Sequence, residues 1–197
     1  MRGERRLFGG LGFSLSAGTL LEVRGPNGSG KTSLLRVVCG LLRPAAGKIT
    51  WKGRPIAELA DEFCAEIAYV GHLDALKPEL DALENLRLAA RVAGLGTAPG
   101  DSVAALRVFG LAGFERLACK ALSQGQRRRV ALARLKLAAR RALWVLDEPY
   151  ASLDAAGTAL VRATLEEHLL AGGIALLSTH HEVESAAPSA QRVELGP

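Results

Sequence analysis

The segment Gly25-Pro26-Asn27-Gly28-Ser29-Gly30-Lys31-Thr32 has the G-x-x-x-x-G-K-[ST] spacing of a loop whose backbone N–H groups wrap phosphates. A triphosphate carries several negative charges that water solvates well, so a site for it must replace that solvation with fixed donors. Glycines at 25, 28 and 30 let the backbone approach closely and take positive φ. A helix starting at the end of the loop offers unpaired N–H groups and the positive end of its dipole, with Ser33 as a further candidate contact in its first turn. Lys31 is expected to reach the β- and γ-phosphates, and the Thr32 hydroxyl to ligate Mg²⁺. An ordinary glycine turn would not require Lys-Thr directly after its last glycine. Alone, the segment predicts a nucleoside-triphosphate site.

Two further segments supply reacting groups. Asp147-Glu148 closes the apolar run Leu143-Trp144-Val145-Leu146 and precedes Pro149. If that run is a strand, both carboxylates stand at the carboxyl edge of a parallel sheet, where open α/β folds bind ligands. Asp147 would hold Mg²⁺ directly or through water, and Glu148 would polarise the water that attacks the γ-phosphate. An isolated Asp-Glu would read as two solvated carboxylates; the glycine loop upstream favours the catalytic role. Ser123-Gln124-Gly125-Gln126 has capping-box spacing, which predicts a helix start. A capped helix start with a flexible Gly125 before it is also a ready anion site.

The elements that must position these groups alternate along the chain. Residues 20–24 read as a strand entering the glycine loop, and residues 32–41 as a helix with Leu34, Leu35 and Val38 inward, stopped by Gly40 and Pro44. Residues 49–51 form a short strand closed by Gly53 and Pro55, and residues 67–70 another that ends at Gly71-His72. From 78 to 121 the chain is Leu/Ala-rich with breaks at Gly94, Gly96, Pro99 and Gly100, which predicts several helices forming a separate lobe. A helix from Ser123, a strand over 143–146, a helix over about 158–170 and a strand over 174–178 complete the pattern. Strands alternating with helices predict an α/β fold with a mostly parallel sheet covered by helices.

Composition agrees. The 197 residues suit one domain over 1–197, and 49% hydrophobic with 23% charged residues excludes a disordered chain. No apolar run approaches 18 residues, so no segment predicts a membrane span. The charged start, Met1 to Arg6, has no apolar region behind it, which argues against a secretory signal. Cys39, Cys64 and Cys119 have no metal or redox spacing and are expected to be small buried hydrophobes. The net charge of +5 gathers in Arg127, Arg128, Arg129, Arg134, Lys136, Arg140 and Arg141. With no aromatics between these charges, base stacking has little to work with. They read as the solvated face of a helix that turns Val130, Ala133 and Leu137 inward, not as a nucleic-acid site.

Together the three motifs resemble the ATP-binding cassette of ABC transporters, a P-loop NTPase fold with a helical lobe inserted between the P-loop and the signature segment. In that superfamily Ser123, Gln124, Gly125 and Gln126 resemble the signature motif, which closes over the γ-phosphate held by the opposite subunit. The resemblance therefore implies a head-to-tail homodimer on ATP binding, with two-fold symmetry. Ala151-Ser152-Leu153-Asp154 resembles the loop that crosses the dimer interface, with Asp154 as its carboxylate. His180, after Leu176-Leu177-Ser178-Thr179, resembles the switch histidine that contacts the γ-phosphate, and is preferred over the adjacent His181 on motif alignment.

Nearly the whole chain is similar to the ATP-binding subunit family of cytochrome c biogenesis, the haem exporter ATPases. The matching stretches begin with Leu7-Phe8-Gly9-Gly10-Leu11-Gly12-Phe13, Ile49-Thr50-Trp51-Lys52-Gly53, and Gly71-His72 followed by Ala82-Leu83-Glu84-Asn85-Leu86. Arg128-Arg129-Val130-Ala131-Leu132-Ala133-Arg134-Leu135, Ala142-Leu143-Trp144 and Gly172-Gly173-Ile174 complete them. Most transporter cassettes carry a Gln where this chain has His72, which departs from the superfamily and fits this family. Cassettes also begin with one more strand and an aromatic that stacks on adenine, so the N-terminal strand is expected to be missing here. The resemblance implies ATP and Mg²⁺ as cofactors, a membrane permease as partner, and a peripheral place on the cytoplasmic face of the bacterial inner membrane. No haem ligation by this chain is expected. An ATPase for another exported cargo, or a non-transport ABC ATPase acting on ribosomes or nucleic acid, is the alternative.

Overall fold

A computed structural model describes residues 7–180 and 189–196; Met1 to Arg6 and His181 lie outside the described residues. The chain forms two compact units. The first takes residues 1–69, 141–148 and 168–197; the second takes residues 70–140 and 149–167.

In the first unit, β1 (Thr19–Arg24), β4 (Ile67–Val70), β5 (Leu143–Asp147), β6 (Ile174–Ser178) and β7 (Ser189–Glu194) form one sheet in the order β4-β5-β6-β1-β7. The pairs β5/β6, β6/β1 and β1/β7 are parallel, as the alternation of strands and helices predicts. The register sets Asp147 beside Ser178 and Ser178 beside Val23, so three strands end in one row. Helix α1 (Lys31–Val38) covers this sheet with Leu34, Leu35 and Val38, each burial contributing about 1.5–3 kcal/mol. It ends before the expected residue 41. Gly40 takes φ 74° and the Leu41 N–H bonds the Arg36 carbonyl at 2.9 Å, a Schellman stop.

The short strand expected at 49–51 is present, but the strand that pairs with it, the helix that follows and β7 have no counterpart in the sequence reading. The strand β2 (Thr50–Trp51) turns at Lys52-Gly53 into β3 (Arg54–Pro55), and α2 (Ile56–Cys64) follows at once. Strand β7 pairs along the full length of β1, although its side chains are mostly exposed and polar. Burial leaves Cys39 and Cys119 as expected, but Cys64 is exposed, because it closes α2 at the surface.

In the second unit, α3 (Ala82–Val92), α4 (Asp101–Val108) and α5 (Gln124–Leu137) pack on one another, with a single 3-10 turn at Cys119–Ala121. Asp81 starts α3 through a capping box with Glu84, and Gly94 at φ 64° follows its end. Helix α6 (Ala155–Leu170) begins about three residues before the predicted start, because the Asp154 side chain caps it by accepting from the Gly157 N–H at 2.7 Å. The basic face of α5 is only partly solvated. Arg128 is buried, Arg127 donates to the Leu122 carbonyl at 2.6 Å, and Lys136 pairs with Glu167 at 2.7 Å. Val130 and Ala133 are buried as predicted, while Leu137 is half-buried. No helix among the described residues is long and apolar enough to cross a membrane.

Candidate active site

The loop from Gly25 to Gly30 leaves the carboxyl end of β1 and runs into α1. Gly25, Gly28 and Gly30 take φ of 147°, 83° and 103°, the left-handed side that the motif requires. A Cβ on Gly25 would collide with the Leu195 carbonyl and the Ser29 hydroxyl, so no other residue fits there without a shift of backbone. Pro26, Asn27 and Gly28 stand open to solvent, whereas Ser29 is buried. Gly30 caps α1 without a side chain and packs against Phe8 and Leu7, and the first turn holds no acidic residue to oppose an anion at the positive end of the dipole. Thr32 and Ser33 are half-buried in that turn.

Lys31 is buried and folds back on its own loop. Its Nζ donates to the Gly25 carbonyl at 2.7 Å and to the Pro26 carbonyl at 3.1 Å, and lies 3.2 Å from His180 Nδ1. Burial pulls its pKa below the ordinary lysine value, with the Glu148 and Asp147 carboxylates opposing the shift. Because an ammonium only donates, His180 Nδ1 accepts and its Nε2–H faces Glu148 Oε1, with which it forms an ion-pair-distance contact.

The second chain of bonds runs through Ser178 at the end of β6. Its hydroxyl donates to Asp147 Oδ1 at 2.6 Å and accepts from the Glu148 N–H at 2.9 Å. Glu148 takes φ 49°, a left-handed conformation uncommon for a residue with a side chain. The parallel register produces this convergence: Asp147 and Ser178 are direct neighbours, and Glu148 and His180 follow within two residues. Lys31, Asp147, Glu148 and His180 are thereby brought together at one sheet edge. Sequence reasoning missed Ser178; a serine ending an apolar strand two residues before His180 was the available signal.

The remaining predicted residues lie in the second unit. Ser123 and Gln126 form a reciprocal capping box, with Gln126 N–H to Ser123 Oγ at 3.1 Å and Ser123 N–H to Gln126 Oε1 at 2.8 Å. Gly125 does not precede the helix as expected; the helix starts at Gln124, so Gly125 falls in its first turn. A Cβ on Gly125 would stand 2.8 Å from the Ser152 carbonyl, so the start of α5 packs directly on the segment leading to Asp154. His72 is exposed, in the segment that follows β4.

A glycine-rich loop of phosphate-binding form and two carboxylates at the end of a central strand define a class, and comparison with known proteins gives the same one. Residues 8–151 match the ABC transporter family, and the chain is an ATP-binding ATPase of that class. It is 50% identical to the cytochrome c biogenesis ATP-binding export protein CcmA of Dechloromonas aromatica (strain RCB), over 100% of this chain and 96% of that protein. It is 47% identical to the protein of the same description from Nitrosospira multiformis, over 99% of this chain and 94% of the relative. Within the ABC class, then, the chain belongs to the cytochrome c biogenesis ATP-binding export protein family. Among solved structures it resembles the ATP-binding cassette MJ0796, a dimer in a post-hydrolysis state bound to ADP and Pi. That match has a TM-score of 0.75 and 26% identity, over 86% of this chain and 78% of that one.

Proposed function

We propose that this chain is the ATP-hydrolysing subunit that drives a membrane permease partner in cytochrome c biogenesis, by haem export or by release of a haem chaperone. On this reading 1–197 is one ATP-binding domain with the helices between 78 and 121 as its lobe. The observation that carries it is the convergence of Lys31, Asp147, Glu148 and His180 at the carboxyl edge of the sheet.

Residues 25–30 and the first turn of α1, including Ser33, wrap the phosphates. Lys31 exchanges the carbonyls of Gly25 and Pro26 for β- and γ-phosphate oxygens. The Thr32 hydroxyl and the Asp147 carboxylate are hard oxygen donors of the kind Mg²⁺ takes, one carboxylate being the usual protein share when phosphates and water supply the rest. Mg²⁺ would neutralise charge on the β- and γ-oxygens. Glu148 draws the proton of the attacking water toward its carboxylate, and His180 fixes that carboxylate while facing the γ-phosphate. His72 supplies a single hydrogen bond where other cassettes use Gln.

Ser123, Gln124, Gly125 and Gln126 of a second copy close over the γ-phosphate, and Asp154 crosses the interface of the two-fold homodimer. The dimer docks on its permease at the cytoplasmic face of the bacterial inner membrane, and the chain itself ligates no haem. The test is deletion of the gene in its host, with haem covalently attached to c-type cytochromes as the readout. Attachment is lost and is restored by the wild-type chain but not by Glu148→Gln, which still binds ATP. Attachment that survives deletion overturns the assignment to cytochrome c biogenesis and moves the ATPase to another cargo.

A further inference from the structure

Arg128 has 3% relative exposure, a place where a guanidinium is found only when paired and hydrogen-bonded. Its Nη1 donates to the Gly71 carbonyl at 2.9 Å and to Asp74 Oδ1 at 3.2 Å. Six residues further along α5, Arg134 Nη2 donates to the Ala75 carbonyl at 2.8 Å. From α3, buried Asn85 grips the next stretch: its two Nδ2 hydrogens are shared among the carbonyls of Lys77, Leu80 and Asp81, and its Oδ1 accepts from the Lys77 N–H at 2.7 Å. Three side chains thus hold the backbone from Gly71 to Asp81, largely through main-chain carbonyls. Such bonds constrain the path of the segment and not its sequence. Within it Ala75 sits at φ 51°, a strained conformation that persists only where the surroundings over-determine it. The segment so held carries His72, and the helix that holds it begins with Ser123 to Gln126.

We propose that Arg128 and Arg134 are positioning residues that tie the His72 segment to the helix bearing Ser123–Gln126, so that the two travel as one body through the ATPase cycle. The inference rests on the reading above that both segments take part in hydrolysis. Displacement of the α5 start by a nucleotide then moves His72 without play, and force applied near His72 reaches Ser123.

The test is steady-state ATP hydrolysis by the chain assembled with its permease partner, comparing wild type with Arg128→Gln, Arg128→Lys, Asp74→Asn and the Arg128→Gln/Asp74→Asn double variant. Loss of the clamp lowers kcat by roughly tenfold in Arg128→Gln and leaves KM for ATP within about twofold, because the Lys31 loop is built in the other unit. Arg128→Lys recovers part of kcat. The double variant is no slower than Arg128→Gln alone, since both changes break one contact. Equal shifts in kcat and KM, multiplicative losses, or unchanged turnover per folded molecule overturn the proposal. If Arg128→Gln does not fold, Asp74→Asn, whose partly exposed side chain holds the other end, decides by the same split. Hydrolysis that survives Glu148→Gln in the assembled complex would refute the underlying functional reading instead.

Discussion

Replacing Ser178 by alanine removes one hydroxyl that bonds both the Asp147 carboxylate and the Glu148 backbone N–H. The bond from Ser178 Oγ to Asp147 Oδ1 at 2.6 Å is charge-assisted and buried, and a bond of that kind contributes about 1.5–3 kcal/mol. The Glu148 N–H loses its acceptor at 2.9 Å, a further cost of about 1 kcal/mol. Together these destabilise the chain by about 3 kcal/mol, which in a protein of this length lowers Tm by roughly 6–12 °C. The same bond holds Glu148 at φ 49°, so its backbone relaxes toward commoner angles and its carboxylate leaves His180. On the proposed mechanism, turnover per folded molecule at saturating ATP falls about tenfold or more. Thermal unfolding followed by circular dichroism reads the first effect, and phosphate release below the transition reads the second. A Tm within about 2 °C of wild type would refute the energetic argument. A large loss of Tm with full turnover would show that Ser178 supports the fold and does not position Glu148.

His168 is buried, stacked on Trp144 at 3.8 Å between centroids, and its pKa is lowered chiefly by burial, against a smaller upward pull from the Ile174 carbonyl. Its folded pKa therefore lies below its unfolded one, the unfolded chain takes the proton first, and the stability it contributes is complete above about pH 6.5 and lost as pH falls through the folded value. Denaturant titrations from pH 7 to pH 5 should show falling stability, flattened in His168→Phe, which keeps a ring on Trp144; an equal slope in both proteins would exclude His168 as the source. Asn85→Ala strips the side-chain bonds to Lys77, Leu80 and Asp81; the three carbonyls keep backbone donors, but the Lys77 N–H loses its acceptor, at about 1–3 kcal/mol. Urea unfolding midpoints check it, and a loss below about 0.5 kcal/mol would mean that water replaces the amide.

The parallel sheet and its central strands were legible because apolar runs such as Leu143 to Leu146 are unambiguous when both faces are covered. The helix starts at Asp81 and Ser123 were legible in kind, since capping boxes are written in four residues. Strand β7 was not, because Ser189 to Glu194 presents mostly polar side chains and is recruited mainly by backbone pairing with β1, with Val193 as its one apolar contact to the core. The hairpin of β2 and β3 was half-read. Gly53 marks a turn, but the return strand is only Arg54 and Pro55, shorter than any periodicity can register. Within the site, the reacting side chains were legible by type and spacing. Ser178 was not, since its role depends on a register between β5 and β6 that only the folded sheet supplies.

The two bond chains at the sheet edge meet at Glu148, from opposite sides and through different atoms. The Ser178 hydroxyl fixes its backbone N–H, whereas His180 holds its carboxylate and is itself held by Lys31. Lys31 cannot keep the Gly25 and Pro26 carbonyls, the His180 ring and a γ-phosphate at once, because an ammonium has three donors. If, as proposed, a nucleotide draws Lys31 away, His180 Nδ1 is freed and the imidazole can turn toward phosphate while the backbone of Glu148 stays fixed by Ser178. On the proposed mechanism, the rigid half of this arrangement keeps the carboxylate near the water, and the movable half reports that the γ-phosphate has arrived. Separating these two functions on two different atoms of one residue lets Glu148 sense its substrate without losing its place.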